Sequence, residues 1–463
     1  MGACLAGEKG IDAKAIAIAR KAGSHRGQLP KDLEMCKSAA FQCGTVFAAL
    51  SLAIGAPAAN AGGIMLWEIG TPTLGTASAG WAAMPEDAAT AFTNPAGTAW
   101  REETEIRAAG QMMYGDVGFS NGGLSNVPGN DGGNPIEWFP GAGAFAAGKL
   151  TEELGWGLAM AGNFGLGLDY RNEWTGRRFV QDVDLLGMSL VPSLSWKVNP
   201  CLSIGAGVNV MGFYFKYRSA PRAGLVPGNA RLKYRDTDVG YGGNLGVIYR
   251  PVPATTFGLT YTSKVEARFN DRLELDNFGP LFQPLTDRLD GRRTRIDMNV
   301  PATVTASLQQ KLTAATTLYA NLAWQDWTEY AGVSLEIDNP SQTSVKVDRG
   351  YKDTGHFALG VRHRFSRGYL RDWSLSTGFA YDNSMTTDAT VTADTPSGKA
   401  WRFGLGAGKE LCPGVHLDLG YTLVWSGDID IDQRGRPPFS PRLQGSYEDT
   451  ALHFFGGSVQ FEL

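Results

Sequence analysis

The chain has 463 residues, with 42 basic and 46 acidic side chains and a net charge of −4 at neutral pH. That balance excludes a nucleic-acid surface, which needs clustered Lys and Arg. The five cysteines and five histidines make no metal-ligand spacing, so neither a metal nor a cofactor is expected.

The first element is an apolar run. Residues 44–56 carry no charge, Lys31 and Lys37 precede them, and Ala59-Asn60-Ala61 supplies an A-x-A cleavage site. This is the layout of a secretory signal peptide, and the run is shorter than the ~20 residues of a spanning helix. Residues 1–61 therefore read as leader, with cleavage leaving Gly62 as the mature N-terminus. Glu8, Asp12, Asp32 and Glu34 are foreign to a signal n-region, which makes Met35 a candidate true start. Only Cys201 and Cys412 lie beyond the leader. A disulfide between positions so far apart in sequence is not expected.

Next comes "MPEDAATAFTNPAGTAW" (84–100), small and apolar, bounded by Pro85 and Pro95. Proline removes a backbone donor, so the stretch is neither a clean strand nor a long helix. From about residue 104 onward, period-two alternation dominates. In "HLDLGYTLVW" (416–425), Leu417, Leu419, Tyr421, Leu423 and Trp425 share one face, and His416, Asp418, Gly420 and Thr422 share the other. About fourteen such runs follow one another: 104–120, 139–150, 153–169, 183–197, 201–217, 238–250, 255–270, 292–311, 315–330, 353–366, 372–385, 399–410, 414–427 and 448–463. Short turns alternate with long polar loops at about 218–237, 271–291, 331–352, 386–398 and 428–447.

A soluble sandwich also alternates. An even strand number, short turns at one end, long loops at the other and aromatics near strand ends (Trp324, Trp327, Tyr330, Trp373, Trp425) favour an outer-membrane barrel. In lipid the sheet must close so that no edge is left unpaired. The expected fold is all-β: a transmembrane antiparallel β-barrel of about 14 strands over 104–463, with residues 62–103 as an N-terminal hatch, or plug, in the lumen. By parity Leu419 faces lipid and Thr422 the lumen, where a larger side chain should be tolerated.

Several motifs taken together carry a resemblance: "EIGTPTLGTASAGWAAMPEDAATAFTNPAG" (68–97), "NFGLGLDYRNEWTGRRF" (163–179), "LVPSLSWKVNPCLSIGAGVNV" (190–210), "NVPATVTASLQQKL" (299–312), "WQDWTEY" (324–330) and "YKDTGHFALGVRHRF" (351–365). The chain resembles the outer-membrane long-chain fatty acid and hydrocarbon transporters of the FadL/TodX kind. The resemblance implies a plugged fourteen-stranded barrel in the outer membrane of a Gram-negative bacterium, inserted by the barrel assembly machinery among lipid and lipopolysaccharide. It implies passive uptake of hydrophobic small molecules, long-chain fatty acids first and aromatic or alkane hydrocarbons as the alternative, with no enzymatic step. It assigns Asn94, Pro95 and Ala96 to the hatch and places a lateral gate at a kink in the third strand, at Gly162, Asn163, Phe164 and Gly165. It places the N-terminal Ile64, Met65, Leu66 and Trp67 in an inner ligand pocket. The cation for a ligand carboxylate stays open among Arg171, Arg177, Arg178, Arg218, Arg231, Lys233, Arg235 and the inward-facing Arg402. Phe461 keeps the terminal alternation, although the last residue, Leu463, is not the usual aromatic.

Other motifs read plainly. Gly143-x-x-x-x-Gly148-Lys149 lacks the following Ser or Thr and the strand-loop-helix setting of a phosphate loop. Asp428, Asp430 and Asp432 fall on one face, as Ca²⁺ ligands or as a solvated strand end. No Ser/His/Asp set points to a lipid hydrolase.

Overall fold

The computed structural model describes residues 64–221, 230–278, 286–287, 289–338, 343–435 and 440–463. The leader, its cleavage site and the proposed mature N-terminus at Gly62 lie outside them.

Six strands open the wall: β1 (Glu105–Asn121), β2 (Trp138–Lys149), β3 (Leu154–Asp169), β4 (Asp182–Asn199), β5 (Leu202–Ser219) and β6 (Arg231–Val252). After β7 (Thr255–Thr262) come β8 (Val265–Arg272), β9 (Glu274–Asp276), β10 (Arg293–Val300), β11 (Thr303–Lys311) and β12 (Thr316–Gln325). The last seven are β13 (Gly332–Ile337), β14 (Thr343–Asp348), β15 (Thr354–Arg364), β16 (Trp373–Asp382), β17 (Ala400–Cys412), β18 (Val415–Arg434) and β19 (Arg442–Glu462). Fourteen of them pair antiparallel in one closed sheet: β1 joins β19, and β5 joins β6. Closure leaves the wall without an edge strand.

Two expected runs break where the chain leaves the wall. The run 255–270 splits at Ser263 and Lys264, and 292–311 splits at Pro301, which lacks the donor a central strand needs. Beyond those points β8 and β10 pair with each other and with the hairpin β13–β14 in a separate four-stranded sheet. That hairpin occupies most of what reads as the 331–352 loop. The 428–447 loop is likewise mostly strand, because β18 and β19 run on as a long hairpin. Ile429 and Ile431 are buried there, Asp428 accepts from the Asp449 backbone, and Asp432 pairs with Arg434 and Arg442. Cys201 and Cys412 are both disulfide-bonded, where their separation in sequence had argued against a disulfide between them.

Outside the wall stand Leu194, Leu245, Leu259, Leu322, Leu359, Leu405 and Leu419, all exposed. This apolar band is what a lipid-facing surface requires. Trp138, Trp324 and Trp425 lie at its margins, also exposed. Trp327 and Tyr330 do not join them. They are buried in a helical turn, Trp327–Ala331, because the chain turns inward after β12.

Residues 64–104 fill the lumen. They form short turns, Pro72–Thr76, Thr90–Thr93 and Pro95–Trp100, and nearly every residue is buried. With so little regular structure, their backbone groups bond to inward side chains of the wall. Ser307 Oγ accepts from Ala82 N at 2.9 Å, Asn321 Oδ1 accepts from Gly80 N and Trp81 N, and Thr422 Oγ1 donates to Leu74 O at 2.8 Å. Arg107 pairs with Asp87 at 2.9 Å and Asp418 at 2.8 Å, tying hatch to wall by charge.

Candidate functional site

The Asn94-Pro95-Ala96 turn is a fixed anchor. Asn94 Nδ2 donates to Ala82 O at 2.7 Å and to Val247 O at 3.1 Å, while its Oδ1 accepts from Ala96 N at 3.1 Å. Ser203 Oγ donates to Ala96 O at 2.8 Å. The wall must come close for this. A Cβ on Gly246 would stand 2.1 Å from Asn94 Oδ1, and one on Gly205 2.4 Å from Ala96 N. The anchor itself therefore sits against β5 and β6, while Ala91 and Thr98 on either side of it pack against Gly155 and Gly157 of β3.

The third strand is irregular where its glycines cluster. Its register with β4 shifts between Gly162 and Phe164, leaving Asn163 as the extra residue of a bulge. Its pairing with β2 ends at Gly143–Ala161, although β2 continues to Trp138 along β1. The wall is thus split between residues 138–142 and the part of β3 beyond Ala161. The N-terminal strap takes up the freed edge: Leu66 N donates to Asn163 O at 3.0 Å, and Gly165 N donates to Ile64 O at 2.8 Å. Met65 and Phe164 are bridge partners. A mostly apolar recess of about 860 Å³ opens here, lined by Leu66, Phe139, Phe164, Leu186, Met188 and Phe213.

On the other side of the strap lies an inner cavity of about 150 Å³, lined by Ile64, Met65, Trp67, Trp327, Asp382 and Arg402. Three of the four N-terminal residues singled out from the sequence meet Arg402 there, while Leu66 turns to the recess. Arg402 is not a free cation. Its Nε donates to Asp382 Oδ2 at 2.6 Å and its Nη1 to Glu68 Oε1. Asp382 also meets His356 Nδ1 at 2.7 Å, and His356 Nε2 lies 3.0 Å from Ser78 Oγ. Trp67 stacks on the His356 ring at 4.4 Å. Two carboxylates thus share one guanidinium, and Glu68 Oε2 is buried without a hydrogen-bond partner among the described residues.

The other basic candidates are elsewhere. Arg171 is exposed on the loop between β3 and β4, so it joins no inner pocket. Arg177 donates to Pro128 O and Arg178 to Ala220 O, stapling outer loops. Arg218 pairs with Asp169 and Asp182, Lys233 with Glu274 and Asp276, and Arg231 and Arg235 are exposed. Sequence reasoning missed Glu68, His356 and Asp382. Asp382 shares inward parity with Ala380, but only cross-barrel contact shows that these residues surround Arg402.

The comparisons fit this geometry. A family described as "Outer membrane protein transport protein (OMPP1/FadL/TodX)" matches residues 52–462. Outer membrane protein P1 of Haemophilus influenzae is 24% identical over 421 residues, covering 81% of this chain and 88% of the relative. The long-chain fatty acid transport protein of Salmonella typhi is 23% identical over 410 residues, covering 83% and 92%. Among solved structures, a Pseudomonas aeruginosa FadL homologue superposes with a TM-score of 0.78 at 21% identity, covering 87% of this chain and all of that one. The Pseudomonas putida toluene transporter TodX gives 0.62 at 13%, covering 88% and 99%. With a plugged fourteen-stranded barrel and a match over nearly all of its described length, the chain belongs to the FadL/TodX family of Gram-negative outer-membrane proteins that transport hydrophobic compounds.

Proposed function

We propose that this chain is a passive channel that takes up long-chain fatty acids and releases them sideways into the outer membrane through the split beside β3. The observation that carries this reading is the exchange of partners on β3. Where β2 lets go, a short N-terminal strap takes over, and its residues line both the inner cavity and the lateral recess. Two backbone hydrogen bonds are a weak closure, each worth about 1 kcal/mol net. Exit into lipid needs no energy source, because each CH₂ moved from water to hydrocarbon gains about 0.8 kcal/mol. No catalytic step enters this reading. Gly162, Asn163, Phe164 and Gly165 form the gate, Ile64, Met65 and Trp67 the apolar bed, and Arg402 meets a carboxylate only when Glu68 withdraws. Outer-membrane lipid and lipopolysaccharide cover the apolar band, and the barrel assembly machinery inserts the chain.

A second reading, aromatic or alkane hydrocarbons as ligands, is favoured by the charge balance already present at Arg402. Competition settles the order: palmitate should displace bound toluene at lower concentration than toluene displaces palmitate. The gate itself is tested by a Met65→Cys, Phe164→Cys pair. Oxidation should stop palmitate uptake and reduction restore it, against a wild-type control that reductant leaves unchanged. Uptake at the unmodified rate through the cross-linked barrel would sink the lateral route.

A further inference from the structure

A third space lies between the inner cavity and the recess. It is small, about 60 Å³, and touches both neighbours through the strap residues Met65, Leu66 and Trp67. The strap and the aromatic rings of Trp81 and Phe92 line one part of it, and the rest of its wall is amide and hydroxyl, with Asn163 on β3, Asn209 on β5 and Asn244 on β6 beside Thr260, Thr303 and Thr305. Among the described residues no charged side chain lines it. Asn209 is 4% and Asn244 5% exposed, yet the side-chain oxygens of Asn163, Asn209 and Asn244 have no hydrogen-bond partner among the described residues. Buried polar groups are almost always satisfied, so three amide oxygens left without a donor around one space point to a guest that supplies one.

The chemistry of the wall selects that guest. A side-chain amide offers an acceptor and a donor, which suits a hydroxyl, itself both donor and acceptor. A carboxylate only accepts, and no cation faces it here. The nearby guanidinium of Arg402 is held by Glu68 and Asp382. We infer that the Asn163–Asn209–Asn244 chamber is a headgroup subsite for uncharged, hydroxyl-bearing hydrophobic ligands, such as long-chain alcohols. The hydroxyl sits among the amides while the chain lies in the recess against Leu66 and Phe164. This inference rests on the lateral route proposed above and adds a class of cargo to it.

Equilibrium binding of radiolabelled 1-hexadecanol, hexadecane and palmitate to the purified full-length barrel tests it. The wild type should hold hexadecanol roughly tenfold more tightly than hexadecane, since a site built to bond a hydroxyl rejects the analogue without one. An Asn209→Leu, Asn244→Leu double variant should lose that preference and leave palmitate within about twofold of wild type. Unchanged hexadecanol affinity in the variant would overturn the subsite. So would an equal fall for hexadecanol and palmitate, which would make the chamber a common structural support. Binding of none of the three by the wild type would overturn the transport reading and this inference with it. If the variant does not fold, a wild-type crystal soaked in hexadecanol decides the matter. The hydroxyl should lie within hydrogen-bond distance of Asn209 or Asn244, and a hydroxyl at Arg402 or in the recess would refute the assignment.

Discussion

Asn94 shows how much one side chain does in a plug with little regular structure. Its amide closes the Asn-Pro-Ala turn on itself, holds Ala82 across the hatch and reaches Val247 on the wall. Asn94→Ala removes three hydrogen bonds, each worth roughly 0.5–1.5 kcal/mol, and should loosen hatch docking by about 2 kcal/mol. Hydrogen exchange of the amides from Ala82 to Gly97 should speed up by roughly 30-fold, while the barrel keeps its heat-shifted gel mobility. Gly246→Ala should do the same from the wall side. Normal protection in both variants would show that the hatch is held elsewhere. In the outer loops, Arg349 donates to Asp394 at 2.8 Å, and both side chains are about one-fifth exposed. Burial acts to raise the Asp394 carboxyl, but the Arg349 guanidinium outweighs it and holds the group below the usual carboxylate range. A depressed folded-state pKa contributes stability that is complete above the unfolded value near 4 and is lost as pH falls through the lower folded value. Tyr170 reports on this roof, since it stacks on Trp174 and donates to Ala393 O beside Asp394. Trp174 fluorescence should hold down to about pH 4 and change only below it. In Asp394→Asn the change should already be present at pH 7 and lose its acid dependence.

At the scale of elements, the sequence shows where β3 is irregular but not what the irregularity does. Gly162, Gly165 and Gly167 stand out as a cluster, yet glycine is frequent throughout the wall. What distinguishes this cluster is that β2 has stopped pairing beside it and residues 64–66 have begun. No local pattern encodes an isolated bridge across about a hundred residues. The same limit applies to β8 and β10. Pro301 marks a break, but the small sheet they form with β13 and β14 exists only because the broken ends meet above the wall. The split also makes a prediction about register. Substituting Leu66→Asp puts a charge into an apolar recess without touching the strap's backbone bonds, and burying an unpaired carboxylate is costly. Palmitate uptake should fall by roughly tenfold or more with barrel folding intact. Unimpaired uptake would place the exit away from Leu66.

At the scale of the whole molecule, the barrel's two faces follow opposite rules. Leu419 is half exposed to lipid, and Leu419→Arg should cost about 2–4 kcal/mol if it lies near the bilayer midplane. The lumen is not the tolerant surface that parity alone suggests. Thr422 is fully buried and donates to Leu74 O, so Thr422→Arg must displace the hatch. Urea titration of the two variants in lipid should show Leu419→Arg losing barrel stability and Thr422→Arg losing hatch protection first. A silent Thr422→Arg would mean the plug is not packed there. The sequence by itself determined the barrel, the number of its wall strands and which face of β18 meets lipid, because period-two alternation is a local consequence of strand geometry and a uniform solvent on one side. It also carried the hatch motif and the inward direction of Arg402. Only the tertiary structure decided that Arg402 is already shared by Glu68 and Asp382, that Arg171 stays outside, that the anchor rests on β5 and β6, and that three asparagines from three strands converge on one chamber. Those facts depend on which residues face one another across a closed lumen, and closure sets that from the register of every strand at once, which no local stretch of sequence contains.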